Sequence, residues 1–170
     1  MLPGSRYGDL FQMSYVTRDR DAAVAHAETR LGFRDFRLSE SRTEVLAQGR
    51  VQTLAIRAAM ATVGGRQIEI IEPVSGPIQV YTEGLDLAAR LLTFHHMAIA
   101  VRGGAQEWEH LLAELRAGGD EIAYLFPARP EAATKVRFCY VDTRGAIGHF
   151  TEYLWRDASL DGMPGFPAFD

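Results

Sequence analysis

The chain has 170 residues, 47% apolar, 24% charged and 10% aromatic, proportions that exclude a disordered or fibrous protein. Its 18 basic against 22 acidic residues give a net charge of −4, which leaves no basic stripe for a phosphate backbone and argues against nucleic acid as a partner. A single cysteine, Cys139, excludes a disulfide framework and a thiolate zinc site. The first ten residues lack the apolar core of a signal peptide, and no apolar run reaches the roughly 18 residues of a membrane span. A cytoplasmic location with no membrane contact is therefore expected.

In chain order, Phe11 to Val16 reads as a strand, and Asp19 or Asp21 can cap the helix that follows. Val24, Ala27 and Leu31 form one helical stripe, with Gly32 as the stop. Phe33 to Phe36 is expected to begin a strand, Val51 to Val63 suits a strand although its alanines would also suit a helix, and Gly64-Gly65 is expected to turn into the strand Gln67 to Ile71, ended by Glu72-Pro73. A connector with a short helix from Leu85 to Leu92 follows. The rhythm then restarts. Phe94 to Val101 is a strand, and Trp108, Leu111, Leu112 and Leu115 make a helical stripe closed by Gly118-Gly119. Glu121 to Phe126, Val136 to Val141 and Ile147 to Trp155 are strands, with a turn at Asp142 to Gly145.

The two halves share a register. Gln12 and His96, Val24 and Trp108, Ala27 and Leu111, and Leu31 and Leu115 are each 84 positions apart, and Glu69 and Glu152 are 83 apart. Two tandem β-α-β-β-β units explain this with one assumption. Residues 1–170 are then a single domain of the α+β class. It contains a first unit at 9–75, a connector at 76–93, a second unit at 94–156 and a tail at 157–170.

Four polar residues break the apolar strands. Gln12 lies between Phe11 and Met13, Glu69 between Ile68 and Ile70, His96 before Met-Ala-Ile-Ala, and Glu152 mid-strand. A buried carboxylate is costly unless paired, protonated or metal-bound. The repeat places these four on the first and last strand of each half, where a two-fold pseudo-axis would gather them in one cleft. An amide oxygen, an imidazole nitrogen and two carboxylates suit one divalent ion of zinc, nickel, cobalt or manganese type, with positions left for water or substrate. Each residue also has an ordinary reading: a strand-edge amide for Gln12, a core histidine for His96, a partner for an arginine for Glu69. His95 competes with His96. Adjacent strand residues face opposite ways, and the 84-residue offset selects His96. Glu72 is expected in solvent at a strand end, His149 to face away from Glu152, His26 and His110 to lie on the surface, and Cys139 to be a small buried side chain.

The segments FQMSYVTRDRDAAVAHAETRLGF, QIEIIEP, HHMAIAV and YVDTRGAIGHFTEYLW, spanning Phe11 to Trp155, resemble the vicinal oxygen chelate superfamily. That group includes glyoxalase I, methylmalonyl-CoA epimerase, extradiol dioxygenases and bleomycin-resistance proteins. The resemblance implies an eight-stranded open barrel-like sheet around a metal cleft, with Gln12, Glu69, His96 and Glu152 at the ligand positions. Many members carry histidine at the first position. Glutamine there occurs among glyoxalase I enzymes and counts against the dioxygenases.

The chemistry so implied is a glyoxalase- or epimerase-like lyase or isomerase that moves a proton at a carbon next to a carbonyl of a small molecule. Glu152 is the expected base, and Glu69 the alternative or the partner on the opposite face. The first rival is a metal-free, antibiotic-like binding protein whose cleft walls would be Phe36, Tyr140, Phe150 and Trp155. The second is an extradiol-type dioxygenase. An apolar face on an open sheet favours a homodimer.

Overall fold

The computed structural model describes residues 6–129 and 133–161. Most of the sequence-defined tail therefore lies outside the described residues. The first half runs β1 (Gly8–Val16), α1 (Arg20–His26, continued by a wider turn through Leu31), β2 (Arg37–Ala47), β3 (Arg50–Val63) and β4 (Arg66–Ser75). A one-turn helix α2 (Gln79–Thr82) leads to the second half. That half contains β5 (Thr93–Val101), α3 (Ala105–Gly118), β6 (Ile122–Phe126), β7 (Val136–Val141), the one-turn helix α4 (Arg144–Ile147) and β8 (Phe150–Arg156).

The strands form one ring in the order β1-β4-β3-β2-β6-β7-β8-β5. The first strand of each half pairs in parallel with the last, β1 with β4 and β5 with β8, while β1 and β5 run antiparallel. The arrangement is a mixed, α+β barrel-like sheet. Its ring closes at a narrow seam, where β2 meets β6 through Leu46–Leu125 and Ala47–Tyr124.

The helices cover the outside of the ring. Asp19 caps α1 by accepting from the Ala22 N–H at 2.9 Å. The buried face of α1 is Ala23 and Ala27, packed on Ala59 and Ile70, whereas Leu31 is half exposed. The stripe is thus rotated one residue from the expected one, because two small alanines let the helix approach the sheet closely. In α3 the expected stripe is the buried one. Trp108, Leu111, Leu112 and Leu115 pack on Val101, Cys139, Val141 and Trp155, and Gly119 ends the helix at φ +79°. Each such side chain contributes about 1.5–3 kcal/mol through burial. Cys139 is fully buried, and burial raises its thiol pKa well above the ordinary value. His26 and His110 are exposed.

Four expectations about elements need correction. Phe33 to Phe36 is a loop, and the strand beyond it is β2, whose first six residues are all exposed. Polar on both faces, that stretch carries no period-two signal, and its pairing with β3 over eleven positions makes it a strand. β4 does not stop at Glu72 but runs through Pro73 to Ser75. β1 pairs with β4 only as far as Ile71, so the missing Pro73 N–H falls on an open edge. Leu85 to Leu92 forms turns rather than a helix, with Asp86 accepting from the Ala89 N–H. β8 begins at Phe150, because Arg144 to Ile147 makes a helical turn and Gly148 reverses the chain at φ +82°.

Candidate active site

The pleat of four strands aims the four singled-out residues at the middle of the ring. Gln12 on β1 stands opposite Gln67 on β4, and Ser14 opposite Glu69. Glu152 on β8 stands opposite Ala98 on β5 and Tyr140 on β7. Gln12, Glu69 and Glu152 all line one interior cavity of about 310 Å³. His96 is fully buried, with its Nε2 3.0 Å from Glu152 Oε2 and 3.8 Å from Glu69 Oε2. The two halves of the ring therefore bring a glutamate each toward one imidazole nitrogen.

The surroundings set the state of these groups. Burial raises the Glu69 carboxyl to about 7, opposed by His96, helped by the Glu152 charge and opposed again by the hydrogen bond from Ser14 Oγ at 2.9 Å. Gln12 Nε2 donates to Gln67 Oε1 at 2.6 Å, which fixes the amide so that Gln12 Oε1 is buried without a partner. His96 Nε2 is likewise buried and makes no well-directed hydrogen bond.

An unpartnered amide oxygen and an unpartnered imidazole nitrogen beside two carboxylates are a donor set that fits a divalent cation. The side chains are not drawn into a finished cage, however. Among the described residues no three of His, Cys, Asp and Glu are grouped as a ready-made ion site.

His95 does not turn away from His96. The β1–β5 ladder pairs Ser14 with His96 and then Tyr15 with Phe94, so His95 is an extra, bulged residue on β5. The bulge breaks the alternation, and both histidines are buried, at 1% and 0% exposure. The same ladder pairs Leu10 with Ile99 and Gln12 with Ala98, so Phe11 is the bulged residue on β1. Phe11 and His95 are 84 positions apart, and each immediately precedes a candidate ligand. His149 lies before β8 and packs edge-on against Phe94, away from the glutamates. Glu72 is not a solvent-exposed strand end. It pairs with Arg57 at 2.9 Å and accepts from the Arg20 N–H at 2.8 Å.

Of the aromatic residues expected as cleft walls, Tyr140 lines the cavity. Phe36 packs against the α1 side of the sheet, Trp155 under α3, and Phe150 in the adjoining core. Phe11 and Phe138 line the cavity instead. Sequence reasoning also missed Ser14, Gln67 and Tyr81. Ser14 and Gln67 lie two residues from Gln12 and Glu69 on the same strand faces, so period-two spacing was the available signal. Tyr81 donates to Tyr140 across 3.2 Å, a contact between distant segments with no sequence signature. A larger hollow of about 800 Å³ lies beside the start of α3. Its arginines are neutralised, Arg102 by Asp9, Arg137 by Glu109 and Arg156 by Asp161.

This ring of two strand–helix–three-strand halves, with parallel first and last strands and a polar centre, is the vicinal oxygen chelate fold. No family model and no curated protein sequence matches the chain. Solved structures match the fold. The methylmalonyl-CoA epimerase of Mycobacterium tuberculosis superposes with a TM-score of 0.59 at 22% identity, covering 94% of this chain and 95% of that one. A Streptomyces coelicolor methylmalonyl-CoA epimerase variant in complex with 2-nitronate-propionyl-CoA superposes at 0.52 and 19% identity, covering 89% and 96%. A hypothetical protein of Bacillus halodurans superposes at 0.51 and 19% identity, covering 88% and 94%. No helix among the described residues is long and apolar enough to cross a membrane.

Proposed function

We propose that the chain is an epimerase-like enzyme that moves a proton at the carbon next to a carbonyl of a small-molecule substrate, with a divalent metal ion at the centre of the ring. The observation that carries this reading is the approach of Glu69 and Glu152, from opposite halves, to the same nitrogen of His96 at 3.8 and 3.0 Å. Two carboxyl groups from opposite sides can serve the two faces of one carbon. Glu152, as carboxylate, takes the proton, and the C–H electron pair moves onto the carbonyl oxygen to give an enolate. Glu69, which comes from the opposite half of the ring, stands to return a proton to the opposite face. Gln12, Glu69, His96 and Glu152 are the residues that would hold the ion, and its charge would stabilise the developing negative charge on the substrate oxygen.

The test is proton exchange. The chain is incubated in deuterated water with an α-branched acyl thioester of coenzyme A, and label at the α-carbon is followed by mass spectrometry. Exchange should be lost in Glu152→Gln, and it should depend on about one equivalent of metal measured by elemental analysis. Exchange that survives both exhaustive chelation and the two Gln replacements at Glu69 and Glu152 overturns the reading.

A second reading is favoured by a specific feature. Phe11, Val45, Leu54, Ile56, Ile71 and Phe138 make much of the cavity wall apolar, as in a metal-free binding protein. Metal content near zero, with no exchange, would select that reading.

A further inference from the structure

The bulge in β5 places two imidazoles in hydrogen-bond contact. His95 Nδ1 lies 2.8 Å from His96 Nδ1, and His95 Nε2 lies 2.9 Å from the main-chain oxygen of Val80 in α2. The His95 ring is held between Tyr81 and Phe150, each with ring centroids 5.0 Å away. The ring is 1% exposed and, among the described residues, faces no carboxylate at hydrogen-bond distance, only a main-chain oxygen and a second imidazole, surroundings that suit a neutral ring with one proton.

The position of that proton follows from the partners. A carbonyl oxygen only accepts, so the proton of His95 is on Nε2, shared with Val80. His95 Nδ1 then has a lone pair, and the contact to His96 Nδ1 is a hydrogen bond only if His96 supplies the proton. With its proton on Nδ1, a neutral His96 keeps its lone pair on Nε2, the atom that faces Glu152 and Glu69. The opposite tautomer would set two buried Nδ1 lone pairs against each other at 2.8 Å, while its Nε2 proton would find no well-directed hydrogen bond at the centre of the ring.

We propose that His95 is the positioning residue that fixes the tautomer of His96. It accepts the His96 Nδ1 proton and so dedicates Nε2 as the electron-pair donor at the centre of the ring. The repeat supplies an internal control. The equivalent bulge on β1 carries Phe11 ahead of Gln12, and an amide has no tautomer to set. A bulge at this place needs no histidine for its backbone, and one is present where the following residue is an imidazole. Ligating histidines are oriented in this way through their second nitrogen. The inference rests on the metal reading for the use of Nε2, and the tautomer itself is measured without metal.

The experiment is a long-range proton–nitrogen correlation spectrum of the uniformly nitrogen-15-labelled, metal-free chain, at alkaline pH where imidazoles are neutral, together with zinc affinity by competition with a chromogenic chelator. In the wild type the ring proton of His96 should lie on Nδ1 and that of His95 on Nε2. In His95→Asn the amide oxygen stands near the place of Nδ1, and both the His96 tautomer and zinc binding should be largely kept. In His95→Phe the ring volume remains but the acceptor is gone. The His96 proton should move to Nε2, and zinc affinity should fall by about ten- to a hundred-fold.

A wild-type His96 protonated on Nε2 overturns the inference, as does a Phe variant that keeps the Nδ1 proton and wild-type zinc affinity. If the wild type binds no zinc yet its Nδ1 proton moves in the Phe variant, the metal reading falls and the tautomer control stands. Should the Phe variant fail to fold, the wild-type spectrum and the Asn variant still decide.

Discussion

Two buried groups at the centre of the ring make opposed contributions to stability as pH changes, and this yields a quantitative test in metal-free protein. His95 has its pKa lowered from 6.5 to about 3. As pH falls below 6.5, the unfolded chain takes up a proton that the folded chain refuses. Stability present above 6.5 is therefore lost progressively toward pH 3. At about 1.4 kcal/mol per pH unit, the span corresponds to about 5 kcal/mol. Glu69 has its pKa raised from 4.5 to about 7. Its contribution is fully present below 4.5 and is lost as pH rises through 7, about 3 kcal/mol in all. Between pH 7 and 4.5 the two nearly offset each other, and below 4.5 only the His95 loss continues.

Urea unfolding across this range should show the difference between variants, in which the other titrating groups cancel. As pH falls from 7 to 3, Glu69→Gln should lose about 8 kcal/mol relative to His95→Phe, because it keeps the His95 loss and lacks the Glu69 gain. Relative to the wild type, His95→Phe should gain about 5 kcal/mol as pH falls from 6.5 to 3, and Glu69→Gln should lose about 3 kcal/mol as pH falls from 7 to 4.5. Parallel curves for the two variants and the wild type would refute the claim that the centre holds a neutral imidazole and a proton-retaining carboxyl.

The other expectations are simpler. Ser14→Ala removes a hydrogen bond that lowers the Glu69 pKa; its carboxyl titration by carbon-13 NMR should shift upward, with a cost near 1 kcal/mol in stability. Trp108→Ala empties the 2%-exposed centre of the α3 interface and should cost about 3–5 kcal/mol by denaturant titration. Gly76→Ala places a Cβ 2.1 Å from Thr53 O at a φ of +93°. That main-chain clash should lower the thermal midpoint far more than Gly145→Ala, where nothing lies within 4 Å.

Much of this architecture was legible because burial writes a period. The α3 stripe could be read directly, since one face of the helix meets the core, and the strand Val136 to Val141 could be read as a short apolar run, since it packs on both faces. The fixed offset located Gln12, Glu69, His96 and Glu152 at matching strands of the two halves. What escaped had no periodic imprint. β2 is solvated on both faces over its first half, so its strand character resides in its partner β3. α1 buries two alanines, whose small side chains rank below the larger Val24 and Leu31 in any pattern of apolar size.

The bulges explain why strand alternation misjudged His95. Period-two reasoning assumes one residue per pleat, and an inserted residue resets the phase without changing composition. The offset between halves nevertheless already contained the answer in part, because Phe11 and His95 occupy the same repeat position. A strict alternation from Leu10 would send Phe11 and Gln12 to opposite faces, yet both are buried, at 7% and 4% exposure. The phase reset before Gln12 and before His96 brings two consecutive buried side chains to each place. In the first half the extra side chain supplies cavity wall, and in the second it supplies a neutral imidazole behind His96. A fold assembled from two similar halves thus gains different chemistry at its centre from the residue at one repeated backbone irregularity.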